Sequence, residues 1–173
     1  AHIDTVTSTV MLDEPTGVRM IESIRETQEG DRHVLVRTEQ TTMKLASGST
    51  LNLINEDGEI SIAGSDRDTC QIQSVFTIKA PTLDAAKTLS KAVVLDTKST
   101  DKGLTVIVVE PAKMPSQHSC RVDLQILVPR NTHLSVKHGD GTIRIKNIEG
   151  RIAAILEDGE IRCQDVAGVM ALR

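Results

Sequence analysis

The chain has 173 residues, 39% of them hydrophobic and 25% charged, enough to enclose one continuous core and unlike a disordered segment. Its net charge of −4 argues against nucleic acid or an anionic membrane surface as a partner, and no apolar run approaches the ~18 residues of a membrane span. It has no Trp, no Tyr and one Phe, Phe76; this removes the aromatic platforms on which bases and sugars stack, disfavours a high-affinity carbohydrate groove, and leaves an aliphatic core.

Residues 1–33 form an N-terminal segment without a clear pattern. Residues 6–12 fit a strand, and residues 18–27 fit a helix or a strand. The run 33–37 is a strand candidate. Around Cys70, Ile72, Phe76 and Ile78 the intervening residues are Gln71, Gln73, Thr77 and Lys79, the alternation of a strand with one buried face. A helix is expected at about residues 82–92: Thr82 caps it, Asp84 suits the first turn, and Leu83, Ala86 and Leu89 share a face. Residues 93–95 and 104–109 are short strand candidates, and 110–119, with Pro111 and Pro115, is a loop. Cys120, Val122, Leu124, Ile126 and Val128 alternate as another strand.

From residue 133 the chain becomes self-similar. HLSVKHGDGTIRIKNIEG (133–150) aligns with RIAAILEDGEIRCQDVAG (151–168) at an 18-residue offset. Asp140 meets Asp158, Gly141 meets Gly159, Ile143 meets Ile161, and Gly150 meets Gly168. A third copy begins at Val169 and the chain stops within it. An earlier copy spans 51–64, and its EDGEI, with Asp57 and Gly58, recurs at 157–161. Strand pairs joined by Asp-Gly corners at a constant offset predict stacked coils. The expected fold is therefore all-β: a single-stranded β-solenoid (β-helix-like) with one short helix. It forms one domain over 1–173, with first coils and a strand-helix-strand region in 34–132 and 18-residue repeats in 133–173. Asp57, Gly58, Asp140, Gly141, Gly150, Asp158, Gly159 and Gly168 are its turn residues.

The string LNLINEDGEISIAG, the hinge Ile126-Leu127-Val128-Pro129 and the HGDGTIRI corner resemble the bacterial "putative adhesin" family of envelope-associated domains. That resemblance covers residues 34–173. It implies a right-handed β-helix-like fold, a place in the cell envelope outside the cytoplasm, and no catalytic residue. The start at Ala1, without an initiator Met or signal peptide, fits a processed product.

Asp140, Asp158 and Glu160 are weak candidates for a Ca²⁺ site, against the simpler account that Asp-Gly is a turn dipeptide. The same aspartates could formally serve a glycosidase, but no sugar platform accompanies them. His133 and His138, five apart, fall on opposite faces of a strand, which argues against a shared metal. Cys70, Cys120 and Cys163 show no CxxC spacing; buried thiols are the simple account, and a Cys70–Cys120 disulfide is the alternative. Outward Arg144, Lys146, Arg151 and Arg162 are expected to pair with Glu149, Glu160 or Asp165, with polyanion binding as the sharper alternative. The expected function is a non-enzymatic, cofactor-free interaction module that presents β-faces or an open end to a protein or surface polymer, or to a copy of itself. A polysaccharide-binding or polysaccharide-acting β-helix is the alternative.

Overall fold

The computed structural model describes residues 8–11 and 17–173. In chain order the elements are β1 (Ser8–Met11), β2 (Val18–Glu29), β3 (Arg32–Lys44), β4 (Thr50–Asp57), β5 (Ile60–Ser65) and β6 (Thr69–Ala80). There follow α1 (Leu83–Ala92), β7 (Val94–Thr100), β8 (Gly103–Val109), β9 (Ser119–Pro129), β10 (His133–Ile148), β11 (Ile152–Val166) and β12 (Met170–Leu172). The all-β class and the helix agree with the sequence. Residues 18–27, ambiguous between helix and strand, lie in β2. Of the strand expected at 6–12, residues 6, 7 and 12 lie outside the described residues.

The solenoid is overturned. The strands form one mixed, curled sheet in the order β1-β2-β3-β6-β9-β5-β10-β4-β8-β7, with β11 beside β10 and β12 beside β11. Pairings β1–β2, β2–β3, β3–β6, β6–β9 and β7–β8 are antiparallel, which no single-stranded coil contains. The physical cause is chain reversal. After β5 the segment 66–68 turns the chain back into β6, a 12-residue strand with one buried face. That strand fills both its edges with antiparallel neighbours, β3 and β9.

The 18-residue offset is a parallel register at one edge of this sheet, not a coil period that builds the chain. Leu134 pairs with Ile152, Asp140 with Asp158 and Ile143 with Ile161, and Ile152 pairs with Met170. On its other side β10 pairs with both β4 (Leu51 with Leu134) and β5 (Ile60 with Ile143), which lie end to end. The sheet bends where the Gly corners stack. Gly141 and Gly159 have φ of +132° and +137°, a region L side chains rarely adopt. A Cβ on Gly159 would also overlap the carbonyl oxygen of Gly141, and one on Gly141 that of Gly58, so the corners stack only as glycine.

The curl encloses an aliphatic core that includes Leu51, Leu53, Ile60, Ile72, Leu104, Leu124 and Ile143, with Phe76 fully buried among them. α1 packs against β3 and β6. Thr82 Oγ1 accepts from the Ala85 N–H at 3.1 Å, the expected N-cap. At the other end Arg37, on β3, donates to the Ser90 and Val93 carbonyls (2.5 and 2.7 Å) and to Ser90 Oγ (2.8 Å). Its guanidinium lies 4.1 Å from the centroid of the Phe76 ring and 3.1 Å from Glu39. A buried cation thus caps the negative end of the helix dipole. Burial lowers the Arg37 pKa, and Glu39 opposes that shift.

Candidate binding surface

Of the residues expected at turns, Asp140 and Gly141 lie within β10, and Asp158 and Gly159 within β11. Asp57 pairs with Asp140, and Asp140 with Asp158, on successive strands. Among the described residues no group of three His, Cys, Asp or Glu side chains is placed to hold a metal ion. Glu160 is committed elsewhere: Arg162 bonds its carboxylate at 2.8 Å and holds it below the usual carboxylate range. Arg144 finds its partner across the sheet in Glu59, at 3.5 Å, and not in the acids expected from sequence.

The histidines separate as predicted. His138 is buried, with Nδ1 3.1 Å from the Asn55 carbonyl oxygen and Nε2 2.8 Å from that of Gly58. His133 instead accepts from the Arg151 N–H through Nδ1 at 2.9 Å. Both ring nitrogens of His138 face backbone carbonyls, so the ring serves the corner. Cys70, Cys120 and Cys163 are free thiols, so there is no Cys70–Cys120 disulfide. Burial pushes Cys70 and Cys120 up to about 12, with Glu110 contributing at Cys120, and neither is a nucleophile near neutral pH.

The outer face of the sheet assembles a surface that no single stretch of sequence contains. Following the register across seven strands gives one row: Met20, Gln40, Gln73, Gln125, Ser61, Arg144 and Arg162. Two residues along each strand runs a second: Val18, Thr42, Gln71, Leu127, Ala63, Lys146 and Gln164. The strands lie about 4.8 Å apart, so the rows extend about 29 Å along the curved face. Neither row contains an Asp or Glu, although the chain has 24 acidic and 20 basic side chains. In the middle lies a groove of about 310 Å³ lined by Gln40, Gln71, Gln73, Gln125, Ser61 and Leu127. Val18 and Met20 are exposed at one end, and the cations stand at the other. The outward alternation of Gln71 and Gln73 was visible in the sequence. Gln40 and Gln125 were not, because only strand register brings them into line.

A second feature is the edge at β11. Its first residues pair with β12, Ile152 with Met170 through Ala154 with Leu172. Among the described residues, 157–166 pair only with β10, and Ile161, Cys163 and Val166 pack on the core while partly buried.

No protein-family model matches this sequence, and the search of curated proteins finds no match either. Among solved structures, the crystal structure of a "putative cell adhesion protein" from Clostridium sporogenes is similar to this chain. The identity is 10%, over 77% of this chain and 97% of that one, with a TM-score of 0.38; a likeness of this degree carries no argument. No helix among the described residues is long and apolar enough to cross a membrane.

Proposed function

We propose that this chain is a non-enzymatic, adhesin-like interaction module of a bacterial cell envelope that holds an extended partner along the outer face of its sheet. The observation that carries the reading is the pair of rows without a carboxylate, which cross seven strands of an otherwise acidic chain around a central groove. Excluding carboxylates from such a length leaves hydrogen-bonding amides and three outward cations, Arg144, Lys146 and Arg162, facing a partner. The absence of catalysis is supported by how the reactive groups are used. Two thiols are buried and protonated, and the His138 ring is occupied by two carbonyls. The envelope assignment rests on the motif resemblance described for the sequence.

The test is co-sedimentation of the 173-residue chain with isolated bacterial cell-envelope material, beside the variant Gln73→Glu/Gln125→Glu. These two residues are opposite one another on β6 and β9, and both point outward, so the variant changes the face and not the core. The expected result is bound wild type and loss of most binding in the variant, with unchanged circular dichroism. Equal binding of the two proteins, or none by either, refutes the reading.

A further inference from the structure

The partner of this face can be narrowed by its chemistry, and the narrowing rests on the reading just given. We propose that the groove binds a polysaccharide strand bearing carboxylates, laid across the strands with its hydroxyls on the glutamine row and its anionic groups at the β10 end.

Gln40, Gln73 and Gln125 stand on three adjacent strands in direct register. Each primary amide has one acceptor oxygen and two donor hydrogens, so the row offers both a donor and an acceptor at every strand, about 4.8 Å apart. A sugar hydroxyl is likewise donor and acceptor, and two strand spacings, about 9.6 Å, are comparable with two sugar residues of an extended chain. Leu127, 42% exposed, and Ala63 offer the apolar C–H faces of the sugars a place to rest. Chain-wide scarcity of aromatics removes stacking, so hydrogen bonds spread over a long strand carry the binding, and affinity grows with polymer length.

The β10 end supplies the charge. Across the β5–β10 pair, Ser61 is opposite Arg144 and Ala63 opposite Lys146. Arg144 and Arg162 are each engaged with a carboxylate, Glu59 and Glu160. Lys146 is exposed and, among the described residues, takes part in no ion pair. A carboxylate on the bound strand would give it one. A neutral glycan would leave this cation unused, and a protein surface would need no array of amides repeating at the strand spacing.

The experiment is a titration of the 173-residue chain with oligogalacturonate and with its methyl ester, which keeps the backbone and hydroxyls but removes the charge. Binding is followed by affinity electrophoresis, with Lys146→Glu and Gln73→Ala/Gln125→Ala as variants. The expected result is about tenfold tighter binding of the acid than of the ester, which is the affinity carried by one charge-assisted hydrogen bond. Each variant is expected to weaken the acid form by at least about as much, with Lys146→Glu leaving the ester unaffected. Equal binding of acid and ester, or binding indifferent to the variants, overturns the proposal. Absence of any saccharide binding, with envelope binding still lost in Gln73→Glu/Gln125→Glu, also overturns it while leaving the interaction reading intact and pointing to a protein partner. Loss of both removes the reading as well.

Discussion

Ile143 and Ile161 occupy the same place in the 18-residue register but not the same surroundings, and truncating each to Ala measures the difference between the middle of the sheet and its edge. Ile143 is 0% exposed, with Ile60 on one neighbouring strand and Ile161 on the other. Removing three carbons forfeits about 2.4 kcal/mol of transfer free energy at about 0.8 kcal/mol each. An enclosed cavity adds to this, bringing the expected cost to about 2–5 kcal/mol. Ile161 packs on the core only partly buried, and among the described residues no strand lies on its far side. About half the transfer term is lost there and no closed cavity forms, so the cost is about 1 kcal/mol. At about 2–4 °C per kcal/mol for a chain of this size, Ile143→Ala lowers Tm by about 4–20 °C and Ile161→Ala by about 2–4 °C. Urea unfolding followed by far-ultraviolet circular dichroism is the assay, since a chain without Trp or Tyr offers little intrinsic fluorescence. Costs equal within about 0.5 kcal/mol, or a cost below about 1 kcal/mol for Ile143→Ala, would refute the distinction between enclosed β10 and open β11.

Two further outcomes follow from buried polar groups. Burial raises the Cys70 and Cys120 thiols from the ordinary 9.0 to about 12, so the folded chain keeps protons that the unfolded chain releases. The stability they contribute is fully present below about pH 9 and lost as pH rises from about 9 towards 12. Urea midpoints that stay flat through that window contradict the burial of these thiols. His138→Leu removes the ring N–H donated to the Asn55 or Gly58 carbonyl, and an orphaned buried carbonyl costs about 1–3 kcal/mol. A urea midpoint unchanged from wild type would mean the ring does not hold the corner.

Alternation along the chain was enough to identify which residues face inward in β6 and β9, because a period of two survives whichever strand lies alongside. The helix was equally legible, since Thr82, Asp84 and the Leu83–Ala86–Leu89 face are local signals. Neighbourhood was not. The stacking of Leu134 on Ile152 has the same local appearance in a coil and at the edge of a mixed sheet, and the antiparallel partners of β6 come from residues 32–44 and 119–129. Residues 18–27 are strand because β3 lies beside them, a tertiary cause absent from their own pattern. Arg37 was equally hidden: as part of a strand candidate it is an ordinary polar residue, and its role as a helix cap depends on α1 folding back onto β3. The glutamine row belongs with these, drawing Gln40, Gln73 and Gln125 from three separate segments.

The side-chain amides of those glutamines are also the most direct reporters of what this face binds. In a ¹⁵N-correlated spectrum of the 173-residue chain, soluble envelope polymer should shift the NH₂ resonances of Gln40, Gln71, Gln73 and Gln125, while that of Gln28, on β2 outside both rows, stays in place. Shifts confined to backbone amides at the β11 edge or around α1, with the glutamine row unmoved, would contradict the claim that this face is where the partner lies.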